Sequence, residues 1–228
     1  MPLVSSLLET DVKNIFASME PEFEKDSDGN ITGVKEGKGD DDLATDLCSK
    51  IDSYTATALI SGTLAGAVSA GAFVSITVIG TLKTSCDANT LKNLFTSMKD
   101  GSKGNDDLAE AIATVVDDAV NKNDFTINVT GTVTTPAGVP SPLAGTADGT
   151  WSGNKSTISN GLKDFFASME PEFEKDSGGN ITGVKEGKGD DDLATEIASL
   201  ITDYLTGGSI TLSGSGALAG ASGSGNMS

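Results

Sequence analysis

Phe16-Ala17-Ser18-Met19-Glu20-Pro21 opens a stretch that runs on to Asp40-Asp41-Asp42-Leu43-Ala44-Thr45, and the same letters return from Phe166 to Thr195 with one change, Asp28 to Gly178. A looser third copy lies between them, at Phe95, Met98 and then Asp106-Asp107-Leu108-Ala109. Repetition on this scale builds scaffolds and arrays, because each unit supplies an apolar surface that a neighbour covers. Outward from the repeat, charged blocks at about residues 1–54, 83–124 and 155–203 alternate with Thr55–Leu82, Phe125–Ala147 and Thr206–Ser228, none of which holds a charged residue. The fold this predicts is α+β. Its three tandem units, 1–82, 83–154 and 155–228, are each an amphipathic helical hairpin followed by a Gly/Ser/Thr-rich β segment, the middle one in a short-loop version.

The helical blocks superpose. Val12, Ile15, Phe16 and Met19 correspond to Leu91, Leu94, Phe95 and Met98, and to Leu162, Phe165, Phe166 and Met169. That i, i+3, i+4, i+7 spacing is one apolar helical stripe. A second helix begins at each Asp-rich stretch, where the aspartates read as N-cap and acidic first turn at the positive end of the helix dipole. Its stripe is Leu43, Leu47, Ile51, Tyr54, then Leu108, Ile112, Val116, Ala119, then Leu193, Ile197, Ile201, Tyr204.

In the neutral blocks, Thr126–Thr134 alternates and is β-branched, which predicts a strand. Pro136-Ala137-Gly138-Val139-Pro140 breaks it, Gly145–Trp151 returns as a second strand, and Ser209–Gly214 is a shorter version ending in a mobile Ser/Gly tail. Thr55–Leu82 is long enough to span a bilayer, but its Gly and Ser/Thr content and the lack of a flanking Lys cluster or aromatic belt favour a β-hairpin. Trp151, Tyr54 and Tyr204 read as packing at the helix–sheet junction.

Composition excludes several functions. The 228 residues hold 15 basic and 33 acidic side chains, for a net charge of −18, and neither His nor Arg occurs. So acidic a chain is unsuited to nucleic acid or an anionic membrane surface. Without His there is no imidazole base or metal ligand, and without Arg no bidentate anion clamp, so no catalytic residue is assigned and the chain does not read as an enzyme. Cys48 and Cys86 are too few for a disulfide scaffold. They read as one buried and one incidental thiol, with a bridge tying the first β segment to its helix as the alternative. Met1-Pro2-Leu3-Val4-Ser5 lacks the basic n-region of a signal peptide.

The loop Glu24-Lys25-Asp26-Ser27-Asp28-Gly29-Asn30-Ile31 invites comparison with a calcium-binding loop. Glu24, Asp26 and Asp28 take the first, third and fifth ligand places, but Lys35 stands where a bidentate Glu is required, and Glu36 is one residue late. The second copy loses Asp28 to Gly178, so a plain turn is the favoured reading and no metal or cofactor is assigned. The segments Glu20–Gly39 and Glu170–Gly189 are absent from the middle unit, so the fold does not need them. They read as long polar recognition loops. Glu22, Phe23, Asn30 and Ile31, with Glu172, Phe173, Asn180 and Ile181, are the candidate partner-binding residues.

Asp192-Leu193-Ala194, Ile197, Ile201 and Tyr204, followed by the neutral Thr206–Ser228, resemble the helical hairpin and tract of small virion structural proteins of tailed bacteriophages. The resemblance covers the third unit best, the first well and the second loosely; the triplication is a departure from it. It implies a non-enzymatic capsid, neck, tail or baseplate component, assembled in the host cytoplasm and partnered by copies of itself or other virion proteins. Strand edges in the neutral blocks would invite such pairing. The alternative is a calcium-dependent surface or adhesion module using the acidic loops.

Overall fold

The computed structural model describes residues 3–67, 73–82, 84–121, 125–134, 140–170, 172–175, 177–185 and 187–228, and its architecture is mixed helix and sheet. In chain order the elements are α1 (Ser5–Met19), β1 (Glu22–Lys25), β2 (Ile31–Lys35), α2 (Asp40–Thr55), β3 (Leu59–Ala67), β4 (Phe73–Thr81), α3 (Ala88–Lys99) and α4 (Asn105–Asn121). They continue as β5 (Phe125–Thr134), β6 (Pro140–Ser152), α5 (Ser156–Met169), β7 (Glu172–Lys175), β8 (Ile181–Lys185), α6 (Asp190–Gly207), β9 (Ser209–Ser215), a 3-10 turn at Gly216–Leu218, and β10 (Ser222–Met227). Of the expected break at Pro136–Pro140, residues 136–139 lie outside the described residues, and Pro140 is instead the first residue of β6, opposite Thr134.

Helices α2, α4 and α6 share one start. Gly39, Gly104 and Gly189 each offer a carbonyl to the first intrahelical bond, made by Leu43, Leu108 and Leu193. In return the carboxylates of Asp42, Asp107 and Asp192 accept the N–H of those glycines at 3.4, 3.1 and 3.2 Å. The N-cap is therefore glycine, which corrects the assignment of the cap to aspartate. The aspartates lie in the first turn, where the one three residues after the glycine supplies the side-chain half of a capping box and their charge suits the dipole. One position also shifts within the stripe. Ala44, Ala109 and Ala194 are fully buried, and the preceding leucines are only half-buried, because the small side chain lets neighbouring helices approach.

Helices that follow one another in the chain pack together, and α6 returns onto α1. A single apolar core draws on every helix, for example Leu8, Ile51, Leu91, Val116, Leu162 and Ile201, and on the sheet through Ile60, Val78, Ile127, Ala147, Ile210 and Met227.

The large sheet is antiparallel, in the order β4-β3-β10-β9-β6-β5. Its outer strands also meet. Ile127 of β5 lies over Gly80 of β4, so close that a Cβ there would stand 3.0 Å from it, and the sheet is curled until its margins touch. The edges expected to invite other chains thus face each other.

The C-terminal tract is a second correction. Read as a mobile Ser/Gly tail, it forms β10, an inner strand between β3 and β9. Its glycines permit this. A Cβ on Gly223 would stand 1.8 Å from the Thr63 carbonyl oxygen and one on Gly225 2.6 Å from that of Ser61. Met227, at the next inward position, is buried.

The cysteines are the third correction. Cys48 of α2 and Cys86, ahead of α3, form a disulfide with Cα atoms 5.3 Å apart. Asp52 fixes the same junction, accepting the Cys86 N–H at 2.8 Å on its carboxylate and the Thr84 hydroxyl at 3.1 Å on its carbonyl. Thr55–Leu82 contains the paired strands β3 and β4, and among the described residues no helix is long and apolar enough to cross a membrane.

Candidate functional site

The sheet joins the C-terminal ends of α2, α4 and α6, so the other ends of the helix pairs point away from it. At that far end the two near-identical segments differ from the long polar loops expected of them. Each is a two-stranded hairpin, β1–β2 and β7–β8, and each packs chiefly on itself. The sequence carries a signal for this, since Glu-Phe-Glu-Lys and Ile-Thr-Gly-Val-Lys flank a five-residue Asp-Ser-Asp-Gly-Asn turn. The middle pair, α3 and α4, turns tightly through Gly101 (φ 75°) and has no hairpin.

Phe23 stands opposite Val34, Glu22 opposite Lys35 and Glu24 opposite Gly33. Alternation puts Phe23 and Val34 on one face and the Glu22–Lys35 ion pair, 3.1 Å long, on the other, with the Glu24 side chain folded over Gly33. The apolar residues are not covered: Phe23 is 55% exposed, Ile31 61% and Val34 56%, and in the second hairpin Ile181 is 60% and Val184 56% exposed. The backbone places Phe173 opposite Val184 and Glu172 opposite Lys185; the side chains of Glu172 and Phe173 lie outside the described residues. Val34 and Val184 are the site residues that the sequence reading missed, because only hairpin register brings them beside the phenylalanines.

The turn consumes the best of the metal-candidate carboxylates. Asp26 accepts the N–H of Asp28 and of Asn30, each at 2.9 Å, and the Asn30 amide at 3.2 Å. Hydrogen bonds from the Asn30 side chain and backbone hold the Asp26 carboxyl below its ordinary pKa. Glu24 is committed to the strand, and Glu36 follows β2. Among the described residues no group of three or more potential ligands converges. Asn30, expected to face a partner, is exposed and also closes its own turn.

Each hairpin is rooted on its helix. The Lys38 N–H donates to the Ser18 carbonyl at 3.0 Å, and that of Lys188 to Ser168 at 3.2 Å. The two roots have diverged in their side chains. Lys38 pairs with Asp46 at 2.6 Å, which raises the lysine pKa, whereas Lys188 lies over the Phe165 ring, 4.7 Å from its centre. A cleft of 320 Å³ at the first root is lined by Ala17, Ser18, Glu20, Glu22 and the Lys35–Lys38 exit, and both of its lysines are already paired, Lys35 with Glu22 and Lys38 with Asp46. Across the same end, Lys99 of α3 binds Asp40 of α2 at 2.9 Å, and the Thr195 hydroxyl of α6 binds Glu9 of α1 at 3.1 Å. The hairpins therefore stand on a braced platform.

Comparison with protein-family models, with curated proteins and with solved structures returns no match.

Proposed function

We propose that this chain is a non-enzymatic structural protein acting through protein–protein assembly, and that its place is in the virion of a tailed phage. The observation that carries the assembly reading is the pair of hairpins, each presenting uncovered apolar residues on a body whose other large apolar side chains are mostly buried. Isolated two-stranded hairpins are marginal in water, so an exposed apolar face of this kind is suited to being covered by another molecule.

Three further observations support a scaffold of three tandem units. The order helix, helix, β-pair recurs three times; the helices close a ring in chain order; and the β-pairs close the sheet in the same manner. Such a body resembles a symmetric trimer joined into one chain, with two of three positions carrying an arm. The phage assignment rests on the resemblance at Asp192–Tyr204 and the tract after it. The virion is an oxidising surface once released, and the Cys48–Cys86 bridge is at home there.

The test is antibody labelling of particles purified from the culture that makes the chain. Labelled virions are the expected result; chain recovered only outside particles overturns the virion reading. Light scattering after size exclusion, in EDTA and in excess calcium, separates the rival. Equal mass in both buffers is expected, and association only with calcium would favour the adhesion module.

A further inference from the structure

We infer that the two hairpins are a two-point docking site for a basic protein partner, each laying its exposed apolar residues on an aliphatic strip flanked by Lys or Arg side chains. This deepens the assembly reading and rests on it. The apolar half of the argument is geometric: Phe23 and Val34 share one hairpin face, and Val184 holds the same register position in the second hairpin, with Ile31 and Ile181 exposed beside each turn.

Charge selects the occupant. Residues 20–42 hold nine carboxylates and three lysines, and residues 170–192 eight and three, so these two segments carry eleven of the eighteen net negative charges. The strands of the large sheet, at the opposite end, hold a single charged residue, Asp148. A second copy docking hairpin to hairpin would bring two such acidic ends together, which like-charge repulsion opposes. A basic surface is attracted and steered to the same place. Near-identity of the two hairpins makes two equivalent subsites, suited to a partner that repeats its own surface. The fold does not require them, since the α3–α4 turn does without one.

The test uses the full chain and a labelled peptide of about eight residues alternating Lys and Val, the reach of one strand along a hairpin. Binding of two peptides per chain is expected, weakening about tenfold or more as salt screens the carboxylates. The double variant Phe23→Ser, Val34→Ser should reduce the count to one, with an unchanged melting temperature because both side chains are exposed. Equal binding of a Lys–Ser peptide would overturn the inference, leaving an acidic surface with no apolar recognition. So would full binding by the double variant, no binding at all, or self-association that the double variant abolishes, which would make the occupant a second copy. Particles that contain the chain while the peptide fails would sink the docking inference alone; absence from particles would sink the virion reading whatever the peptide does.

Discussion

Trp151 donates its indole N–H to the Tyr204 hydroxyl at 2.8 Å, and that hydroxyl donates onward to Asp117. The rings meet edge to face, 5.7 Å between centres at 73°. One relay thus ties β6 to α6 and α6 to α4, joining the sheet to two helices where the charged and neutral blocks meet. Tyr54, at the matching place in α2, instead shares a 2.6 Å bond with Thr202 of α6.

Removing the hydroxyl leaves a buried indole N–H without its acceptor. Tyr204→Phe is expected to destabilise the protein by about 1–3 kcal/mol, the usual cost of an unsatisfied buried donor. Urea titration followed by Trp151 fluorescence measures it. An unchanged midpoint would mean that water replaces the tyrosine.

Alkaline stability follows from the same pair. Burial raises the pKa of both tyrosines above the ordinary 10.0, with the Asp117 contact adding to the rise at Tyr204. Folded values above the unfolded one mean that the unfolded chain gives up its phenolic protons first. Stability is therefore full below pH 10 and falls as pH rises beyond it. Absorbance at the phenolate band should stay flat through the ordinary tyrosine range and then rise together with loss of circular dichroism. Phenolate appearing in the folded chain near pH 10 would contradict the buried relay.

Cys48 and Cys86 enclose the β3–β4 pair in a 38-residue separation. Reduction, or Cys86→Ser, is expected to lower stability by about 3–4 kcal/mol through the freed unfolded chain. Denaturant midpoints with and without reductant check this. Alkylation of two thiols in the native, unreduced protein would show that the bridge is absent.

Two glycines should respond in opposite directions. Gly223→Ala would force a Cβ to within 1.8 Å of the Thr63 carbonyl oxygen, so strand β10 must separate from β3 or the chain fail to fold. Gly207→Ala, at the end of α6 with nothing within 4 Å, should raise stability by up to about 1 kcal/mol. Melting temperatures of the pair give the answer, and a tolerated Gly223→Ala would refute the close strand approach.

The helices were legible in the sequence, because their evidence is local. The stripes at Val12–Met19 and Leu43–Tyr54, their copies, and the Asp-rich starts are all contained within single elements, and all six helices follow them. The strand at Thr126–Thr134 was legible for the same reason. The hairpins were half legible: alternation and turn residues were present, but the polarity of Glu20–Gly39 suggested a loop. Only pairing register set Phe23 against Val34 and turned that segment into a face. The tract Ser222–Met227 was not legible at all. Alternating Ser and Gly carries no strand propensity, and its place between β3 and β9 depends on backbones that approach too closely for a side chain at Gly223 and Gly225. The Cys48–Cys86 bridge and the closure of β4 against β5 are likewise relations between residues distant in sequence. Tertiary structure alone decides them, since neither partner's local sequence encodes the other's position.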